Sequence, residues 1–199
     1  MLAMPSLDQL REQLQTRPDF GRFATHSIID DVLPCNTFRR GSLIELFGNG
    51  TNLAAIIGRE SLRDGGSLVV VDAENRFYPP AVAAMGIDLD RLIVIRGDDW
   101  IVNQALGCPA IDAVLCWPQK LDTKMFRRWQ LAAERGGSIG LLVRPSSARG
   151  SPSWADVQIV IEQVSSRWRI DILGRTVEFT IEEGHIHDSR DSLPESRHA

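Results

Sequence analysis

The stretch IELFGNGTNLAAI, residues 44–56, has residue types and a position suited to holding a phosphate group. An apolar run typical of a β-strand passes through Gly48 and Gly50 into a segment typical of a helix. Glycine lets the backbone fold its N–H groups around an anion, and a helix N-terminus favours negative charge. We therefore first compare the spacing of residues in this stretch with the motifs of nucleotide-binding loops.

A complete phosphate-binding loop, G-x-x-x-x-G-K-[ST], also needs lysine for the β- and γ-phosphates and a hydroxyl for magnesium. Counted from Gly48, Leu53 stands at the second glycine position, Ala54 at the lysine position and Ala55 at the hydroxyl position. The nearer of the chain's two lysines, Lys120, follows another predicted strand. We therefore expect a degenerate loop, with no bound cofactor and no ATP hydrolysis.

The same two glycines also begin a dinucleotide fingerprint, and Asp72 ends the next predicted strand where a ribose-binding acid would stand. Leu53, however, occupies the third small position of that fingerprint. The simpler interpretation, which we favour, is a tight strand-to-helix turn. In that turn Thr51 or Asn52 would cap the helix through its side-chain oxygen.

Other patterns of catalytic or metal-binding residues are weak. His185 and His187 stand two residues apart without a cysteine or acidic cluster to complete a metal site. Cys35, Cys108 and Cys116 are odd in number and lack CxxC spacing. We expect buried thiols in a reduced cytosolic protein, no metal and no catalytic residue, since no Ser-His-Asp or Cys-His arrangement stands out.

Composition and charge argue against some classes of function. The formal net charge is −4 and the sequence pI about 5.6, so the field of the protein would repel a polyanion such as DNA. No run approaches the roughly 20 apolar residues of a membrane span, and no basic segment followed by an apolar one marks a leader. We expect a cytoplasmic protein, with nucleoid association left open and no membrane partner.

Apolar strands that alternate with helices predict the scaffold. Strands are expected at 42–47, 67–72, 91–95, 111–117 and 138–143, with helices at 52–64, 80–85, 98–106 and 122–135. This pattern is typical of an α/β fold with a mostly parallel sheet flanked by helices. From residue 156 apolar and polar residues alternate without helices, which predicts antiparallel strands at one sheet edge.

The predicted organisation has three parts. Residues 1–26 hold an amphipathic helix, near 5–16, and a connector. Residues 27–183 form the α/β domain, and 184–199 form a polar, disordered tail.

Three segments in order, GSLIELFG, VVVDAEN and AAMGIDLDRLIVIR, resemble the first half of the RecA recombinase core. The later stretch IDAVLCWPQKLDTKMFRRWQLAAERGGSIGLLVRP is similar to the ImuA and SulA branch of RecA-like proteins. The resemblance covers residues 27–145 and implies a RecA-like fold.

The resemblance also implies which chemical groups are missing. Trp117 stands where RecA has an aspartate that acts on the nucleotide-bound metal, and Arg144 and Pro145 replace an Asn-Gln pair that senses the γ-phosphate. Only Glu74, in DAE, matches the glutamate that positions water, so it is interpreted as a relic. One glutamate without the other groups cannot supply phosphoryl-transfer chemistry.

Candidate contact residues follow the predicted strands. Trp117 is either a core aromatic or a partner anchor. The loop 144–154 stands where the RecA architecture carries a DNA-contacting loop, and its Arg144, Arg149 and Trp154 are candidates for contact with DNA or a protein. Given the acidic chain, a mobile connector or protein-binding loop is favoured over weak or partner-assisted DNA contact.

The resemblance implies a non-catalytic accessory protein of the ImuA type, acting in the SOS response to DNA damage. Its expected partners are a catalytically inactive, ImuB-like Y-family polymerase homologue, in error-prone translesion synthesis, and also RecA. The alternatives are a SulA-like inhibitor that binds the tubulin-like division protein, and an atypical nucleotide-binding ATPase. Homo-oligomerisation is left open.

Overall fold

The computed structural model describes residues 19–63 and 65–188. Within these residues the chain forms a nine-stranded sheet and a separate two-stranded sheet. The strands are β1 (Arg22–Phe23), β2 (Phe38–Arg39), β3 (Leu43–Gly48), β4 (Ser67–Val71), β5 (Leu92–Ile95), β6 (Ile111–Cys116), β7 (Ile139–Arg144), β8 (Val157–Val164), β9 (Arg167–Ile172), β10 (Arg175–Glu182) and β11 (His185–Asp188). The α-helices are α1 (Thr51–Glu60), α2 (Pro79–Ala83), α3 (Asp99–Leu106) and α4 (Thr123–Gly136).

The large sheet has the strand order β11-β10-β9-β8-β3-β7-β6-β4-β5. From β8 to β5 all neighbouring strands are parallel, whereas β8 to β11 form an antiparallel meander. The expected α/β class, with a mostly parallel sheet, flanking helices and antiparallel strands at the C-terminus, is confirmed. The apolar runs of the central strands suit them because helices cover both faces there.

Strand β8 differs from the expectation that every strand after residue 156 is antiparallel. It lies parallel to β3, with Ile44 opposite Val157, and only its other side is antiparallel to β9. A parallel neighbour needs a connection that returns the chain to the start of the sheet. Residues 145–156 are that connection, and they make it without an α-helix, through a short 3-10 turn at Ser146–Ala148.

Two segments at the ends of the described chain also differ from the predicted organisation. His185–Asp188, placed by the sequence in a polar tail, form β11 against β10, and Ile186 packs on the core. Arg22–Phe23, placed in the connector, pair with β2, and the Phe23 and Phe38 rings stack with centroids 5.5 Å apart. The predicted helix near 5–16 and the tail beyond Asp188 lie outside the described residues.

Apolar side chains fill both faces of the sheet. One face packs under α1 and α2, with Ile44, Leu46, Val70, Leu115 and Leu141 among its buried residues. The other packs under α3 and α4, with Leu43, Val69, Val114, Phe126 and Trp129 among its own. The carboxyl ends of β3, β4 and β6 therefore stand together at one edge of a rigid, two-sided core.

In the described part of the chain, the longest helix is α4, with 14 residues. None of the helices there has the length and apolar character that crossing a bilayer requires.

Candidate functional site: a closed strand-to-helix turn and the crevice beside it

The two glycines of the turn are explained by contact with β8. Gly48 has φ +99°, a conformation that glycine adopts without strain, and a Cβ there would lie 2.5 Å from the carbonyl oxygen of Ile161. A Cβ at Gly50 would lie 2.8 Å from Leu46 Cβ and 2.9 Å from Ile161 Cδ1. The backbone thus approaches a neighbouring strand where a phosphate loop would approach its ligand.

The positions that would carry the chemistry of a phosphate loop are turned inward. Leu53, Ala54 and Ala55 are all buried in the core beneath α1. The helix begins at Thr51 with Gly50 as its N-cap and no side-chain cap, so the predicted capping by Thr51 or Asn52 does not occur.

The Thr51 hydroxyl has a different partner, because Trp117 lies across the start of α1. The indole Nε1 of Trp117 donates a hydrogen bond to Thr51 Oγ1 at 3.3 Å. The Trp117 ring is also tilted against Phe77, with centroids 6.2 Å apart. Both aromatic rings are half-buried and pack on the core. Trp117 is therefore partly a core aromatic, and the rest of its ring faces solvent.

A crevice of about 360 Å³ opens at the carboxyl ends of β4 and β6, beside Trp117. This volume is within the range of small-molecule sites, and such ends are where open α/β sheets bind ligands. Val71, Val102, Cys116 and Trp129 provide its apolar lining. Its charged lining residues are Asp72, Glu74, Asp98 and Asp99 against Arg76 and Lys120.

Asp72 organises the loop that follows β4. Its carboxylate accepts the backbone N–H groups of Glu74, at 3.2 Å, and Phe77, at 2.8 Å. Burial opposes ionisation, but these N–H groups and that of Arg76 outweigh it and hold the pKa of Asp72 below its ordinary value. Asp72 thus fixes the position of Phe77, which packs on Trp117. This structural role explains the position of Asp72 without a bound ribose.

Glu74, interpreted from the sequence as a relic, lies exposed at the rim of the crevice. Its carboxylate forms an ion pair with Arg76 at 2.5 Å. An exposed pair of this kind contributes little to stability, and the Glu74 carboxylate is accessible to solvent.

Two further groups of the crevice have a raised pKa. Burial, followed by the neighbouring Asp98 and Asp122, raises the pKa of Asp99. The Asp98 carboxylate caps α3 by accepting the Trp100 N–H at 3.0 Å. Burial raises the pKa of the Cys116 thiol, followed by the effect of Asp99, so this thiol is unreactive.

The main polar network near the turn was missed from the sequence. Glu45, in the middle of β3, is fully buried, and its carboxylate pairs with Arg144 Nη1 at 2.5 Å. Ser153 Oγ and Gln158 Nε2 donate to its other oxygen at 2.6 and 2.9 Å. A single acid inside the apolar run SLIELF was the available signal, because a buried charge requires a partner.

The prediction that Arg144 is a surface contact for DNA or a protein is therefore wrong. It ends β7 and is buried against Glu45, with its guanidinium carbon 5.9 Å from the Phe47 ring centroid. It cannot reach DNA or a protein partner without breaking this pair.

Arg149 and Trp154 stay on the surface, in the connection between β7 and β8. Arg149 is exposed, and the half-exposed Trp154 ring lies under the Arg127 guanidinium of α4, with 5.3 Å between carbon and centroid. Among the described residues, no hydrogen bond or ring contact joins either of them to Trp117. The structure thus brings Trp117 and Glu74 to one crevice and leaves Arg149 and Trp154 on a separate surface.

His185 and His187 lie in β11, opposite Glu182 and Thr180 of β10. Across residues 19–63 and 65–188, no three histidine, cysteine or acidic side chains are grouped closely enough to hold a metal ion.

Comparison with known proteins supports the resemblance to RecA, although no protein-family model matches the chain. RecA of Rhodopirellula baltica is 41% identical over 70 residues, which cover 33% of this chain and 19% of that RecA. RecA of Clostridium novyi is 35% identical over 74 residues, covering 35% and 21%. RecA of Lactobacillus delbrueckii subsp. bulgaricus is 28% identical over 128 residues, covering 58% and 37%.

The crystal structure of the RadB recombinase superposes on the chain with a TM-score of 0.65 at 14% sequence identity. The match covers 83% of this chain and 99% of the RadB chain. The fold is therefore RecA/RadB-like. In sequence, the chain spans between about a fifth and two fifths of the curated RecA proteins described above.

Proposed function

We propose that the protein is a non-catalytic, RecA-like accessory protein of the ImuA type. It acts in the SOS response to DNA damage and supports error-prone translesion synthesis by binding a Y-family polymerase homologue. One observation carries the proposal: the strand-to-helix turn of a RecA/RadB-like fold is packed against β8 and lies beneath Trp117. The similarity to recombinases supports the relationship to DNA repair.

The chemical groups at the turn support the absence of ATP hydrolysis. Phosphoryl transfer depends on positioned cations and a metal ligand around the phosphates. Ala54 stands at the lysine position and is buried, and Trp117 occupies the position of the metal-binding acid. The remaining acid, Glu74, is paired with Arg76 at the rim of the crevice. A partner, rather than a nucleotide, is then the ligand of this edge of the sheet.

Isothermal titration calorimetry with ATP and magnesium tests the non-catalytic part. We expect no stoichiometric heat for the full chain, while a RecA protein in the same buffer binds. Stoichiometric binding of ATP by this chain would overturn the interpretation of residues 48–55 as a degenerate phosphate-binding loop. The variant Trp117→Ala removes the indole above Thr51, and we expect it to remain unable to bind because no lysine is supplied.

A pull-down from DNA-damaged cells tests the partner. We expect the tagged full chain to recover a Y-family polymerase homologue, and Trp117→Ala to weaken that recovery because aromatic anchors carry much of an interface's energy. Leu173→Ala, at an exposed position in the turn between β9 and β10, is the matched control. Recovery of the tubulin-like division protein alone would favour the SulA-like alternative instead.

A further inference from the structure

The outward side of α4 carries basic side chains around an exposed leucine. Residues three and four apart lie on the same side of a helix, so one stripe along α4, which we call the α4 face, holds Lys124, Arg127, Arg128, Leu131 and Arg135. Leu131 is 49% exposed. The only acid in α4, Glu134, is half-buried beside this stripe. The opposite side of the helix, with Phe126 and Trp129, is buried on the sheet.

Trp154 adds a second exposed apolar group next to the α4 face. Its ring is 44% exposed and lies under the Arg127 guanidinium. The position of that guanidinium is fixed, because Nη1 also donates a hydrogen bond to Gln130 Oε1 at 2.6 Å. Arg127 and Leu131 are about one helical turn apart and are therefore neighbours on the surface. Leu131, Arg127 and Trp154 thus form one contiguous apolar and cationic surface.

The charges of the α4 face are not neutralised within the described part of the chain. None of its lysine and arginine side chains forms an ion pair with a residue of 19–63 or 65–188. The whole chain has a formal net charge of −4, so this face reverses the sign of the field locally. Exposed arginines beside an exposed tryptophan are a composition typical of protein interfaces.

We propose that the α4 face and Trp154 bind an acidic segment of a partner protein, and that this segment carries an apolar side chain. Carboxylates of the segment pair with Lys124, Arg128 and Arg135. Its apolar side chain packs against Leu131 and Trp154. None of these residues lines the crevice beside Trp117, so this binding surface does not rest on the proposed function.

Charge favours an acidic protein segment over the other candidate occupants. The two terminal segments outside the described residues, 1–18 and 189–199, each carry two acidic and two basic residues, so neither complements a cationic face. A second copy of the chain would bring the same net charge of −4. A long DNA strand would meet the field of the whole acidic chain, whereas a short segment within about 10 Å meets mainly the local cations. An aliphatic side chain such as Leu131 also offers nothing to a phosphate backbone.

Fluorescence anisotropy of a labelled synthetic peptide, titrated with the full chain, tests this surface. The probe is a short peptide of glutamate and aspartate residues around one phenylalanine, and a second probe has alanine in place of the phenylalanine. We expect the phenylalanine peptide to bind with a dissociation constant of about 10–100 µM at low salt, and more weakly as salt rises. The alanine peptide should bind roughly fivefold more weakly, because it lacks the apolar anchor.

Variants locate the binding on the α4 face. Arg128→Glu/Arg135→Glu should weaken binding more than about tenfold, because attraction becomes repulsion at two positions. The matched control, Arg167→Glu/Arg175→Glu, makes the same charge change at exposed positions of β9 and β10 and should change binding less than about twofold. Trp117→Ala, in the crevice, should bind as wild type does.

The apolar contact has its own variants. Leu131→Ala and Trp154→Ala replace exposed side chains, so the chain should stay folded by circular dichroism. Each should reduce the preference for the phenylalanine peptide and leave binding of the alanine peptide within about twofold of wild type. A preference that survives both substitutions would overturn the proposal.

The remaining outcomes decide between occupants. Absence of peptide binding, or equal weakening by both charge-reversed double variants, overturns the proposal. A thymidine oligonucleotide of the same charge that binds more tightly than the peptide, and is lost in Arg128→Glu/Arg135→Glu, would assign the α4 face to nucleic acid instead. Sedimentation velocity tests the second copy: a wild type that self-associates, and becomes monomeric in that double variant, also overturns the proposal.

Discussion

Two strands of the parallel part of the sheet each bury a carboxylate, Asp112 in β6 and Glu45 in β3, and the two carboxylates are held differently. Asp112, near the start of β6, accepts the Arg63 backbone N–H at 2.6 Å and pairs with the Arg63 side chain at 2.5 Å. The Arg40 guanidinium lies 3.8 Å away. Glu45, farther along β3, pairs with one arginine, Arg144, and takes its other bonds from neutral side chains.

The difference shows which of the two networks is structural and which holds a segment that can change. Asp112 lies under Gly66, where a Cβ would be 1.7 Å from its carboxylate, so the loop after α1 is closed tightly over it. Burial lowers the pKa of Arg40 against the opposing effect of Asp112, because the Arg40 side chain is only 9% exposed. Glu45 instead holds Ser153, in the connection that carries Trp154 to the surface.

The largest effect is expected from Asp112→Ala. The substitution leaves the buried Arg40 without its carboxylate, and breaking a buried pair in this way costs about 3–5 kcal/mol. Urea unfolding of the full chain would measure the loss. A loss below about 1 kcal/mol would contradict the structural role given to the Asp112 network.

Glu45→Ala should cost somewhat less, about 2–4 kcal/mol, because it leaves only the buried Arg144 guanidinium unpaired, whereas Asp112→Ala also removes the acceptor of the Arg63 backbone N–H. Limited proteolysis should also cut faster within residues 145–156, which lose the Ser153 bond. The double variant Glu45→Leu/Arg144→Met should recover much of the stability, since both charges are removed together. Equally fast cutting of the Asp112→Ala variant at the same segment would contradict the distinction between the two networks.

The pH dependence of Asp72→Asn gives a smaller effect. The pKa of Asp72 is lowered in the folded state, so its contribution is complete above the ordinary value of about 3.9 and is lost as pH falls through the lower, folded value. We expect the free energy of unfolding of the variant to be about 1 kcal/mol lower than that of wild type at pH 7, and this difference to disappear at acid pH. Thermal unfolding from neutral to acid pH measures both.

Asp99→Asn is the matched comparison within the same crevice. Its pKa is raised when folded, so ionisation opposes folding above its ordinary value, and the variant should gain stability at neutral pH. A loss at neutral pH in both variants would contradict the opposite environments described for the two acids.

The smallest effect is expected from Arg149→Ala on DNA contact. Any binding by an acidic chain should be weak, and one phosphate contact changes affinity only a few-fold. Filter retention of single-stranded DNA at two salt concentrations, with Arg128→Ala on α4 as the control, would measure it. Equal retention by both variants and wild type would remove Arg149 as a DNA contact.

Sequence periodicity was sufficient to predict the central strands and the helices, because burial on both faces of the sheet produces unbroken apolar runs. The prediction for β8 was wrong on one side of the strand. Its alternating pattern is typical of an antiparallel strand, but β8 is parallel to β3 on one side and antiparallel to β9 on the other. Arg144 was placed on the surface because its partner is 99 residues away in sequence. Likewise, no local pattern could reveal that Trp117 meets Thr51.

The position of β3 has a consequence for how the chain folds. Its neighbours on both sides, β7 and β8, come late in the sequence, and the hydrogen bond from Gln158 to Glu45 spans 113 residues. Non-local parallel pairing slows folding. During synthesis, the apolar strand β3 has no sheet neighbours until β7 and β8 have emerged from the ribosome. The centre of the sheet is therefore completed late, and chaperone protection should matter most during that interval.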